Sequence, residues 1–204
     1  EIGERILTNG SQGGLMLETG RKTGVVFGNE MAGMIFNGSS PYKKLEDAQN
    51  PRAAWVFKGT SEGKLFGDYG IDRVHGGAAG FEIDRYNAGN GVPRHALHLA
   101  TSDELRPKIE DVKVGSLPLA ISYHPGSDDI WAAADVVFFE TPNGGAMFST
   151  GSITWFSSTL ENGFDNDVAR ISGNVIRRFL DPTPFNPVDE REVDDVNRVP
   201  ANPE

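Results

Sequence analysis

Glu140 is the residue whose type and setting best suit acid–base chemistry. It closes the apolar run Val136-Val137-Phe138-Phe139 and stands just before Thr141-Pro142-Asn143-Gly144. A Val- and Phe-rich run ending in Pro-Asn-Gly reads as a buried strand entering a hairpin. A carboxylate in such surroundings requires a partner. The favoured reading of the residue itself is structural: Glu140 caps the strand or pairs with an arginine.

Other polar clusters carry weaker signals. Glu82 and Asp84 share one face of a strand and form an acidic pair that a cation would suit. The favoured reading is structural, with Arg85 as a bidentate ion-pair partner. His95 and His98 are three apart, so on a strand they point to opposite faces and do not readily share a metal. His75 before Gly76-Gly77 reads as a surface residue, and His124 before Pro125 carries no distinctive pattern. Gly76-Gly77-Ala78-Ala79-Gly80 is not a phosphate loop, because acidic residues follow it instead of Lys-Ser/Thr. Ser152 lacks the G-x-S-x-G elbow, and Ser157 and Ser158 have no adjacent base.

The elements that must position these groups are short. Val25–Phe27 and Met34–Phe36 read as strands about a turn at Gly28-Asn29, residues 37–52 as a polar loop, and Ala53–Lys58 as a strand ended by Gly59. Leu65-Phe66 begins another strand, and residues 67–94 read as a long glycine-rich loop of the kind that carries function. Ala96–Ala100 is a short strand. Residues 102–111 have helical character broken by Pro107, and 112–130 are irregular. Ala134–Glu140 and Ala146–Phe156 read as a strand pair. Asp165 or Asn166 caps a helix over 166–180, in which Val168, Ile171, Val175 and Phe179 form an amphipathic stripe ended by Pro182.

Composition narrows the function classes. Hydrophobic residues are 38% and charged residues 24% of 204, which suits a folded core. With 19 basic and 29 acidic residues the net charge is −10, so neither nucleic acid nor an anionic membrane is an expected partner. Residues 181–204 hold seven acids and read as an extended, proline-rich tail, separate from a domain over 1–180. The absence of cysteine excludes disulfides and thiolate sites and suits a cytoplasmic location. No apolar run reaches the roughly 18 residues of a membrane-spanning helix. The chain opens on Glu1 rather than Met, so part of a longer polypeptide is expected.

Long ordered blocks give a more specific signal. They are FFETPNGGAMFSTGSITW (138–155) with NGFDNDVARISGNVIRRFLDPTPF (162–185), the segments Gly67–Gly70, Gly76–Tyr86 and Gly91–Ser102, and Phe36–Lys44 ahead of Asp47–Phe57. Over roughly residues 10 to 185 the chain resembles the C-terminal part of the large (beta) subunit of N,N-dimethylformamidase-like enzymes. The resemblance implies an α/β chain supplying the later strands and final helix of a glutamine-amidotransferase-like, flavodoxin-type layered domain with long Gly-rich loops. It implies an oligomer built with a small subunit and with the N-terminal region of the large one.

The resemblance also implies chemistry: hydrolysis of small formamide-type amides at a mononuclear iron held by two tyrosines and one carboxylate, a hard-oxygen set suited to Fe(III). The tyrosines belong upstream of this chain. The carboxylate position reads Asn9-Gly10-Ser11-Gln12-Gly13-Gly14-Leu15, so Ser11 stands where the family carries glutamate and no metal ligand is assigned. Glu4 and Glu18 lie nearby, with nothing to place either at the metal. Glu140 matches the family's FFETP context and is the implied catalytic acid/base. Two function classes remain open: part of an iron-dependent amidohydrolase, inactive in isolation, or a non-catalytic homologue serving as a binding or assembly scaffold.

Overall fold

The computed structural model describes residues 22–70, 77–102 and 133–188, with short strand pieces at 5–6, 12–13, 113–114, 117–118 and 120–122. The strands are β1 (Arg5–Ile6), β2 (Gln12–Gly13), β3 (Glu30–Ser40), β4 (Tyr42–Lys44), β5 (Leu65–Phe66), β6 (Ala79–Arg85), β7 (Leu97–Thr101), β8 (Lys113–Val114), β9 (Leu117–Pro118), β10 (Ala120–Ser122), β11 (Asp135–Glu140) and β12 (Ala146–Ser149). The helices are α1 (Gly24–Phe27), α2 (Thr154–Ser158) and α3 (Asp167–Leu180).

One sheet has the order β12-β11-β7-β4-β5 and a second has β10-β3-β6; β1–β2 and β8–β9 are separate pairs. The chain thus mixes helix and sheet as expected. Every pair among the described residues is antiparallel. A flavodoxin-type sheet is parallel and returns through crossover helices.

β11 lies between β12 and β7 in the larger sheet. All six of its residues are buried, which is why its sequence is a continuous apolar run rather than an alternation. Val136 and Phe138 belong to the main core with Leu97, Leu99, Tyr42, Phe66, Trp155 and Ile171. On the other face, Val137 and Phe139 approach the turn at Gly28, where a Cβ would come within 2.8 Å of Val137 Cγ1. Gly28 has φ +74 and ends α1 in the left-handed conformation that glycine adopts without strain.

The two sheets are linked by the chain leaving β12. Asp84 N donates to Gly151 O (2.8 Å), Ile153 N donates to Glu82 O (3.2 Å), and Ser152 bridges Ile83. Gly151 has φ +67, and a Cβ there would lie 2.5–2.6 Å from the backbone of Asp84 and Asp135. Only a residue without a side chain fits the crossing point.

Helix α3 follows its sequence pattern. The Asn166 side chain accepts from Ala169 N at 2.8 Å and caps the first turn, while Arg177 and Arg178 sit in the last. Val168, Ile171 and Val175 are buried. Phe179 is half-exposed and meets Phe185 edge-on at 5.6 Å. Phe185 also packs near Trp55 and Phe138, and its N–H donates to Gly144 O at 2.8 Å. The start of the acidic tail therefore lies on the core; residues 189–204 are outside the described set.

Several expected elements differ. Val25–Phe27 is helical, because Phe27 N bonds Thr23 O (2.9 Å) and Gly28 N bonds Gly24 O (3.0 Å). Residues 37–52 are not a loop throughout, since β3 runs to Ser40 and β4 follows. Ala53–Lys58 is a series of turns: Val56 N bonds Ala53 O (2.9 Å), and Ala53 and Val56 are buried three apart, a spacing that suits turns and not a strand. The glycine-rich stretch 67–94 contains β6. The strand after the hairpin stops at Ser149, where Gly151 turns the chain into α2. The helical character read over 102–111 lies almost wholly outside the described residues. Among the described residues no helix is long and apolar enough to cross a membrane.

Gly151→Ala should lower folding stability by more than about 1 kcal/mol, through both the positive φ and the backbone clash. Chemical denaturation with unchanged slope checks this; an unchanged midpoint would contradict the crossing described.

Candidate functional site

The carboxylate of Glu140 is nearly inaccessible, with its side chain 5% exposed. Its counter-charge is Arg52, from the turn series after β4. Arg52 Nε donates to Oε1 at 3.0 Å and Nη2 donates to Oε2, a bidentate fork. Nη2 also donates to His95 O at 2.9 Å, and His95 Nε2 donates to Glu140 O at 2.9 Å. A carbonyl only accepts, so His95 is protonated at Nε2. The three residues form a closed ring of bonds at the hairpin end of β11.

Arg52 is itself held at its backbone. Its N–H donates to Asn50 Oδ1 (3.0 Å), and its carbonyl accepts from Trp55 Nε1 (2.9 Å). Trp55 meets Phe138 edge-on at 5.6 Å, so the anchor of Arg52 packs against the strand that carries Glu140. The Arg52 side chain is 29% exposed and forms the solvent side of the pair.

The opposite end of β11 carries a second buried acid, Asp135. Its Oδ2 accepts from Tyr86 N at 2.7 Å, and its Oδ1 lies 3.0 Å from His98 Nε2. His98 stacks on Tyr86 with centroids 4.9 Å apart, and its backbone N–H donates to Asp47 Oδ2 at 2.8 Å. Burial, and after it the charge of Asp135, raises the Tyr42 phenol well above its usual range. Tyr42 donates to Thr150 O at 2.7 Å, acting as a neutral hydroxyl. Burial followed by Asp47 raises Tyr86 in the same way.

The histidines expected on opposite faces both meet odd-numbered β11 residues. His95 precedes β7 and packs edge-on to Phe139, whereas His98 faces Asp135. Those contacts are four residues apart on the strand, about 13 Å, so the two rings do not share a ligand. Arg85 pairs with Glu30 (Nη2–Oε1, 3.1 Å), on the neighbouring strand β3, and not with the acids beside it. Asp84 has a raised pKa, first from burial and then from the charge of Glu82. Ser152 is bound in place: its Oγ donates to Gly80 O (2.8 Å) and accepts from Gly80 N (2.9 Å). Ser157 and Ser158 donate to the carbonyls of Thr154 and Tyr69. Ser11, Glu4, Glu18, His75 and His124 lie outside the described residues.

Among the described residues no group of three His, Asp or Glu side chains converges as a metal ion would need. The described side chains thus offer the expected iron no ligand set, and the stretch around Ser11 lies outside them.

The hairpin-end ring, the glycine crossing and β6 all lie within a segment, residues 18–166, that matches the family described as N,N-dimethylformamidase beta subunit-like, C-terminal. The chain belongs to that family. It is 37% identical over 181 residues to the N,N-dimethylformamidase beta subunit of Paracoccus aminophilus and 35% identical over 181 residues to that of Alcaligenes sp. Each alignment covers 87% of this chain and 23% of the relative. The chain thus spans about a quarter of the length of these curated relatives. The family segment contains Arg52, His95 and Glu140 and stops at the N-cap of α3.

Neither Arg52 nor His95 stands out in the sequence as a partner of Glu140. They lie 88 and 45 residues away. Only the expectation that a buried carboxylate has a partner pointed to them.

Arg52→Met should cost about 1.5–3 kcal/mol of stability, the worth of hydrogen bonds to a charged group, because it leaves Glu140 buried and unpaired. Thermal or urea unfolding reads this, and a loss below about 0.5 kcal/mol would show the pair to be marginal. Asp84→Asn should stabilise the fold at neutral pH, since ionised Asp84 is disfavoured when folded. A raised native pKa makes that penalty full above the native value and absent below the ordinary 3.8. The gain should therefore vanish as pH falls through this window, and a gain persisting at lower pH would contradict it.

Proposed function

We propose that this chain is part of the large subunit of an amidohydrolase that cleaves small formamide-type amides to a carboxylate and an amine. Membership of the dimethylformamidase beta-subunit-like family is the observation that carries the reading. In it, Glu140 is the catalytic acid/base. It takes a proton from the attacking water as oxygen bonds to the carbonyl carbon. It returns that proton to nitrogen as the C–N bond breaks.

Iron, bound outside the described residues, is the cofactor in this reading and supplies Lewis acidity when present. The partners are the rest of the large subunit and a small subunit, in a cytoplasmic oligomer. The antiparallel pairing lends no support to a glutamine-amidotransferase-like layer within the described strands. In our reading any such parallel layer belongs to other parts of the longer protein.

A second reading has one specific support. Both oxygens of Glu140 are engaged by Arg52, as in a structural strut, and Ser11 replaces the expected iron carboxylate. A non-catalytic scaffold homologue would show both features.

The deciding experiment combines metal analysis of the full-length subunit with hydrolysis of N,N-dimethylformamide. Stoichiometric iron and activity are expected. Glu140→Gln should lower kcat by about 10²–10⁴-fold with iron retained, the usual worth of a positioned acid/base. A folded, iron-free, inactive full-length protein would overturn the hydrolase reading and leave the scaffold.

A further inference from the structure

We infer that Arg52 is the positioning residue for Glu140, fixing the plane of its carboxylate. The inference rests on the catalytic reading of Glu140 above. Three features of the geometry carry it.

First, the fork is complete. Nε and Nη2 each take a different carboxylate oxygen, with Nε–Oε1 at 3.0 Å, so the guanidinium and carboxylate planes are coupled as a single point charge would not couple them. Second, Arg52 is anchored on both sides of the fork. Nη2 reaches His95 O, the backbone N–H reaches Asn50, and the carbonyl receives Trp55 Nε1. Third, the loop closes on the strand that bears the acid. His95 donates to the Glu140 carbonyl, and Trp55 packs on Phe138 two residues earlier. Turning the Glu140 carboxylate therefore breaks both bonds of the fork, while the other contacts hold Arg52 and the strand in place for it.

The chemical consequence follows from the lone pairs. Each oxygen receives one bond from Arg52 and keeps a further acceptor site. In the catalytic reading of Glu140, the fork fixes the direction in which those sites accept a proton. Without Arg52 the carboxylate would turn freely about its last torsion.

The test is the separate measurement of kcat and KM for N,N-dimethylformamide hydrolysis by the full-length protein, for wild type, Arg52→Met, Arg52→Lys and Glu140→Gln, each checked for folding by circular dichroism. Arg52→Met should lose at least about tenfold in kcat with KM unchanged, because nothing then fixes the carboxylate plane. Arg52→Lys keeps the charge, folds, and leaves KM near wild type. It should still lose at least about tenfold in kcat, because an ammonium does not fix the carboxylate plane.

Wild-type kcat in a folded Arg52→Met, while Glu140→Gln is inactive, overturns the role of Arg52 and spares the role of Glu140. Wild-type kcat in Arg52→Lys also overturns it, even if Arg52→Met fails to fold. Full activity in Glu140→Gln removes the catalytic reading itself, and this inference with it.

Discussion

A strand buried on both faces must satisfy any charge it carries from within the protein, and β11 carries a carboxylate at each end. Burying an ionised group without a partner costs far more than a domain can spare. Asp135 and Glu140 therefore determine much of what surrounds them. Tyr86 N donates to the first, with His98 Nε2 3.0 Å from its other oxygen, and Arg52 pairs with the second. Those partners come from β6 and its end, from β7, and from the turns after β4, so each acid ties β11 to chain distant in sequence. Apolar packing by Val136 and Phe138 supplies the burial, and the acids dictate which neighbours are tolerated.

The same constraint shapes the route of the chain. Because β11 is covered on its Val137–Phe139 face by the Gly28 turn, that turn has no space for a Cβ. The exit from β12 is equally crowded: Gly151 passes between the backbones of Asp84 and Asp135. The crossing brings Ser152 onto Gly80 of β6, which couples the two sheets through hydroxyl–backbone bonds, and Tyr42 of β4 holds the exit of β12 at Thr150. Glu140 is thus held at the rim of a rigid unit, the kind of support that a precise functional group needs.

Local pattern made some of this legible in the sequence. The run Val136–Phe139 followed by Pro-Asn-Gly announced the hairpin, and the 168, 171, 175 spacing announced α3 with its Asn166 cap. Both signals are short-range and have a single physical cause. Val25–Phe27 was not legible as a helix, because β-branched residues favour strands and only the hydrogen bonds back to Thr23 and Gly24 override that preference. Ala53–Lys58 misleads for a related reason: its apolar residues are contiguous, and the burial of Ala53 and Val56 at a spacing of three emerges only when the chain turns. β6 was hidden by its flanking glycines. At the site, the type and setting of Glu140 were readable, whereas Arg52 and His95 carry no local signature. Ion pairs across 88 residues are decided by tertiary packing.

The most direct test of the central claim is a high-resolution structure of the full-length subunit with an unreactive amide analogue bound. The account requires a Glu140 carboxylate oxygen within about 3 Å of the attacking-water position or of the amide nitrogen, with the Arg52 fork intact. An analogue bound with Glu140 sealed in the protein interior, and no water or ligand atom within reach of either oxygen, would contradict it and make the pair a structural strut alone.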